Sequence, residues 1–121
     1  MPFNDDLKKL TALQRPLKRT SIRFIKEDQS NDSAYACPTA KVVYCRLKET
    51  FEPGSWELHT VFCDNFRHST VTIRLHLFGQ WIELCASADA EESQSDDIAS
   101  IFETALSKAG LLWGIGEYLQ D

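Results

Sequence analysis

The feature that most limits what this chain can fold into is a change of hydrophobic period partway along it. Between Trp56 and Ala86 apolar residues recur at every second position, whereas after Ser95 they recur every third or fourth. A period of two fits a strand with one buried face, and a period near 3.6 fits a helix with one buried stripe. The stretches Trp56 to Phe62, Thr70 to Leu77 and Trp81 to Ala86 therefore predict three antiparallel strands. Gly79-Gln80 predicts a tight turn between the second and third, and Asp64-Asn65 opens a looser one between the first and second. Ser87 to Ser95, acidic and small, predicts an exposed loop. Ser95 or Asp96 then caps a helix whose apolar face is Ile98, Ile101, Phe102, Ala105, Leu106 and Ala109, with Asp97 near its positive end.

Upstream, Leu7, Leu10 and Ala12 or Leu13 predict a short helix stopped by Pro16. Thr20 to Lys26 reads as a strand, and Glu27 to Ser33 as a loop. Pro38-Thr39-Ala40 starts a helix with the stripe Val43, Leu47 and Phe51 and with Tyr44 alongside; Glu52-Pro53-Gly54-Ser55 breaks it. Gly110 marks a break or a close-packing point, and Leu111 to Leu119 predict a last helical turn or two. The expected architecture is α+β in the order β-α-β-β-β-α, a curved antiparallel sheet packed against a helix within one domain.

Charge bears on what such a fold could hold. The net charge of −5 argues against a nucleic-acid binder until its distribution is read. Residues 1–48 carry ten Lys and Arg against five Asp and Glu, for +5, whereas residues 49–121 carry three against thirteen, for −10. An anionic polymer can be held along the first half while the acidic half faces water. Neutralisation of one half by the other, across the fold or between subunits, accounts for the same split equally well. Cys37, Cys45, Cys63 and Cys85 are widely spaced without a C-x-x-C pair, which predicts reduced thiols and neither a zinc site nor a disulfide framework. No apolar run is long enough to span a membrane and no signal-peptide segment opens the chain, so a cytoplasmic protein is expected. His59, His68 and His76 are scattered with no nearby Ser or Cys in a nucleophile motif, and the carboxylates lack metal-ligand spacing. Neither an enzyme nor a cofactor is expected.

Two separated segments carry a resemblance. Ala105 to Leu119, with Trp113-Gly114-Ile115-Gly116 and Tyr118-Leu119 at its end, resembles the closing signature of the bacterial and phage branch of the Rad fifty-two type single-strand annealing proteins. Ala40-Lys41, Arg46-Leu47-Lys48-Glu49 and Pro53-Gly54-Ser55-Trp56 resemble that family's A-R, R-L-D-E and G-P-x-x-W pattern without a gap. The resemblance implies a β-β-β-α core, a homo-oligomeric ring or helix, and a groove round its outside. Single-stranded DNA lies in that groove with its backbone on basic residues and its bases open for pairing. It also implies work in recombination or repair. The C-terminal extension through which larger relatives engage recombinases or single-strand binding proteins is expected to be absent, and such a protein is kept as a candidate partner.

Carried over by position, the family's basic residue before the first long helix falls on Lys41, its K-R pair on Ser107 and Lys108, and the arginine of R-L-D-E on Arg46, whose partner could equally be an acidic neighbour. From the residues themselves, Arg67 and Arg74 lie on the predicted sheet and its turn, where Arg67, with His68, could reach a phosphate. Arg15, Lys18 and Arg19 form the densest basic cluster, which a solvated N-terminal face explains as easily. Three departures stand out: Ser107 for a charge, Glu117 for the arginine of G-I-G-R-Y, and Lys48 for the aspartate of R-L-D-E. Trp113, Gly114, Gly116 and Tyr118 read as packing. Trp56 reads the same way, an indole stacked on bases being the sharper alternative. The rival function is an interaction module that keeps the fold and binds a protein partner through its acidic surface.

Overall fold

In chain order the elements are α1 (Pro2–Leu13), β1 (Ile22–Lys26), β2 (Ala34–Pro38), α2 (Ala40–Thr50), β3 (Trp56–Cys63), β4 (His68–Leu77), β5 (Gln80–Asp89), α3 (Ala90–Ser93) and α4 (Ile98–Leu112), with 3-10 turns at Arg19–Ser21 and Glu117–Gln120. The computed structural model describes residues 2–26 and 34–120, so the expected loop over Glu27 to Ser33 lies outside the described residues. The fold is α+β with antiparallel sheets, as the change of period predicts.

Alternation decides which face of the larger sheet is covered. The strands pair in the order β3-β4-β5, with Leu58 opposite Ile73 and Ile73 opposite Leu84. Along β4, Val71, Ile73, Leu75 and Leu77 are buried while Thr70, Thr72, Arg74 and His76 point the other way. α4 lies on the apolar face, where Ala105, Leu106 and Ala109 join Val71, Ile73 and Leu75 in one core with Leu13, Val43, Leu47 and Ile115. Burying each large aliphatic side chain of that cluster contributes roughly 1.5–3 kcal/mol, which holds helix and sheet together. Trp113 adds direction, its Nε1 donating to the Ile73 carbonyl at 3.1 Å.

α2 crosses α4 closely because Gly110 faces Val43: a Cβ on Gly110 would stand 2.9 Å from Val43 Cγ1. Gly110 is thus the close-packing point and not a break, and the helix runs on to Leu112. α1 is tied beneath α2 by Arg46, which is 8% exposed.

Five sequence expectations need correction. The residue capping α4 is Asp97, not Ser95 or Asp96, and its side chain makes no cap hydrogen bond. Ala34–Pro38 is a strand, paired antiparallel with β1 from Ile22 opposite Pro38 to Lys26 opposite Ala34; Pro38 closes that strand and Thr39 caps α2. Ser87 to Ser95 is not a loop: β5 continues to Asp89, α3 follows, and Ala88 and Ala90 are buried. The tight turn is Phe78-Gly79, both at positive φ (55° and 79°), the two-residue geometry that suits the twist of a hairpin. Finally, the chain after Leu112 turns instead of staying helical, because Gly114 and Gly116 sit at φ 95° and 80°, and only a 3-10 turn follows.

Candidate nucleic-acid interface

α2 supplies a basic stripe, and the way it begins and ends fixes where that stripe points. Thr39 caps it, Oγ1 accepting from the Val42 amide at 3.3 Å. Val43, Arg46 and Leu47 are buried, so Lys41, Tyr44 and Lys48, at spacings of three and four, line the outer side. Lys41 and Lys48 are about 10 Å apart along the axis at 1.5 Å per residue. Tyr44 between them is 47% exposed. The helix then ends at Phe51, and Pro53-Gly54 turns the chain, with the Ser55 amide donating to the Glu52 carbonyl at 2.9 Å and Gly54 at φ 89°. That turn swings Trp56 back beside Tyr44, ring centroids 5.7 Å apart and planes at 74°.

The result is a groove of about 310 Å³ lined by Tyr44, Lys48, Phe51, Pro53, Gly54 and Trp56. Phe51 is almost wholly buried, and Trp56 packs partly on the core while its ring meets Tyr44. The Lys48 ammonium lies 6.0 Å from the Tyr44 ring centroid, at the outer limit of a cation–π contact. On the α1 side Lys9 lies 5.7 Å from the Phe51 ring and 4.0 Å from Asp6.

The eight cations singled out in the sequence separate into distinct environments. Lys41, Lys18 and Arg19 are exposed and make no side-chain hydrogen bond or ion pair among the described residues. The Thr39 amide donates to the Ser21 carbonyl at 2.9 Å, which sets the turn carrying Lys18 and Arg19 at the same end of α2 as Lys41. Arg15 meets Glu49 at 3.7 Å, both more than half exposed, so this pair contributes little. Arg46 makes no ion pair among the described residues, although Glu49 acts on it through charge, and it is turned inward: its guanidinium donates to the carbonyls of Leu13 at 3.0 Å and Pro16 at 2.8 Å, and to that of Arg15. Burial first, and the neighbouring Arg15 charge second, press its pKa below the usual arginine value.

Lys108 is likewise committed, donating to Glu92 Oε2 at 2.7 Å and to the Ser87 carbonyl at 2.6 Å; it fastens α4 to β5 and α3. Ser107, where the resemblance would put a second charge, is wholly buried, so a charge there would not face solvent in this fold. Arg67, on the β3–β4 turn, pairs with Asp96 at 3.1 Å. Arg74 lies on the uncovered sheet face between Glu57 at 2.6 Å and Glu83 at 3.2 Å, over the Trp81 ring at 5.0 Å.

The uncovered face thus carries Glu57 and Glu83 around Arg74, whereas the outer side of α2 carries Lys41 and Lys48, with Glu49 and Glu52 exposed near its end. Sequence reasoning missed Tyr44 and Lys48 as site residues. Their spacing from Lys41 was the available signal, obscured because attention to the apolar stripe passes over the polar one. It also missed a thiol–imidazole contact, Cys63 Sγ to His68 Nδ1 at 3.3 Å, made by cross-strand partners at the turn end of the β3–β4 hairpin. Among the described residues no group of three or more His, Cys, Asp or Glu is placed to hold a metal ion, and no helix is long and apolar enough to cross a membrane. No family model, no curated protein and no solved structure matches the chain.

Proposed function

We propose that this protein binds single-stranded DNA and anneals complementary strands, working as a homo-oligomer and without a catalytic side chain. The observation that carries the reading is the outer stripe of α2, where Lys41 and Lys48 flank an exposed Tyr44, with Lys18 and Arg19 at the same end. Unpaired cations attract phosphate because binding releases the counterions condensed on the strand. The few that one copy offers make a weak site, and repetition in a ring or helix converts weak contacts into avidity. Annealing then follows from neutralisation: two strands whose backbones are screened approach with less repulsion, and pairing needs no bond to be made or broken.

The same reading assigns Lys108, Arg67 and Arg74 a lesser part, since each already faces a carboxylate. The rival, an interaction module, has support in the acidic uncovered face built on Glu57, Arg74 and Glu83. Titrating a labelled oligonucleotide against the protein at several salt concentrations decides between them. Lys41→Ala and Lys48→Ala should each weaken binding several-fold and lower the salt slope by about 0.7. Unchanged binding in both variants removes this face as the site, and no binding at low salt favours the interaction module.

A further inference from the structure

We infer that the groove between the end of α2 and the start of β3 is a cradle for one unpaired nucleobase, with Tyr44 and Trp56 as its aromatic walls. This rests on the strand-binding reading and adds what that reading lacks, a reason for preferring unpaired strand to duplex. Three observations converge on it. First, Tyr44 is 47% exposed on a helix whose apolar stripe lies elsewhere, so core packing does not account for its ring. Second, Trp56, Phe51, Pro53 and Gly54 extend that ring into a concave site of about 310 Å³. Third, the groove is flanked by cations, Lys48 at its wall and Lys41 one turn away.

An apolar partner would leave these ammonium groups unmatched. A nucleotide matches both features, its base against the rings and its phosphates on the lysines. Base pairs in a duplex are stacked inward and cannot enter a side groove, whereas an unpaired strand can turn one base into it. Glu49 and Glu52 are the carboxylates adjoining in sequence; Glu49 is held toward Arg15. The Lys48 ammonium, only loosely placed over Tyr44, is free to move to a phosphate when the ring takes a base.

The test compares two strands of equal length and charge, oligo-dT and the same backbone with abasic sites, against the wild type, Tyr44→Ala, Tyr44→Trp and Lys41→Ala. If the cradle exists, the wild type prefers oligo-dT. Tyr44→Ala then loses about five- to tenfold affinity for oligo-dT with little change for the abasic strand, and Tyr44→Trp retains the preference. Lys41→Ala weakens both strands alike. Quenching of tryptophan fluorescence by oligo-dT should also disappear in Trp56→Phe. Equal wild-type affinity for the two strands, or equal weakening of both by Tyr44→Ala, overturns the cradle while leaving strand binding intact. Failure of the wild type to bind either strand overturns both.

Discussion

Arg46 is a basic residue that the fold uses as a fastener. Its fork donates to the carbonyls of Leu13, Arg15 and Pro16, the last groups of α1 and the residues just beyond it, which have no partner further along the helix. Arg46→Met should therefore cost about 3 kcal/mol, since hydrogen bonds to a charged donor are worth roughly 1.5–3 kcal/mol each and water at the rim replaces part of them. Arg46→Lys should recover less than half, because an ammonium cannot span three carbonyls in one plane. Urea unfolding measures the loss, and oligonucleotide affinity per folded molecule should stay unchanged in both variants. Cys37 gives a pH signature of the same burial. Desolvation raises its pKa from 9.0 to about 11, with the Arg23 and Lys108 charges opposing. Below pH 9 the thiol is neutral in both states and costs nothing. Between pH 9 and about 11 the unfolded thiol ionises first, so stability falls as pH rises. Cys37→Ala should flatten that alkaline fall, read as the difference between the two unfolding curves. Cys63 is the opposite case, exposed and with its sulfur 3.3 Å from His68 Nδ1. It should react with a disulfide reagent faster than Cys85, which is also exposed, and His68→Gln should remove the difference.

At the scale of elements, helix ends carry the measurable strain. Gln94 closes α3 in the left-handed region at φ 57°, with its side chain exposed, so Gln94→Gly should raise stability by about 0.5–1 kcal/mol in a thermal melt. Gly110→Ala should do the reverse, by about 1–3 kcal/mol, because its methyl would have to displace Val43 and part α2 from α4. The elements that sequence made most legible are those with a long apolar period, β3, β4, most of β5, α2 and α4, with the shorter α1 and β1 also read. β2 was hidden because Ala34-Tyr35-Ala36-Cys37-Pro38 is short, ends in proline and offers no alternation, and its identity as a strand comes from pairing with β1. The end of β5 and α3 were read as a loop because their buried residues are alanines, Ala88 and Ala90, which carry little hydrophobic signal in an acidic stretch. The candidate site divides in the same way. Lys41, Lys18 and Arg19 were legible as exposed charge. The inward turn of Arg46 was not, because its partners are carbonyls some thirty positions away (|i−j| 30 to 33) that no side-chain pattern announces. The groove depends on a turn that brings Trp56 against Tyr44, twelve positions earlier in sequence, a contact that only tertiary structure creates.

For the whole molecule, a net charge of −5 sets the field that an approaching polyanion meets first, and the α2 side sets the field at contact. Which of the two is felt depends on ionic strength, because the Debye length shrinks from about 30 Å at 0.01 M to about 10 Å at 0.1 M. At the lower value the acidic uncovered face, with Glu57 and Glu83 on it, repels the strand across the thickness of the domain. At the higher value that repulsion is screened, while the proposed short contacts to Lys41 and Lys48 would persist. A basic protein loses affinity steadily as salt rises. For this one the logarithmic plot should instead flatten at its low-salt end, and neutralising the far side with Glu57→Gln and Glu83→Gln should restore a straight line without altering α2. Fluorescence anisotropy of a labelled single strand, measured from about 10 mM to about 300 mM salt, reads both curves. A straight plot for the unaltered protein would mean that the two faces are not electrically separate, and the spatial division of charge would then lose its role in selecting the ligand.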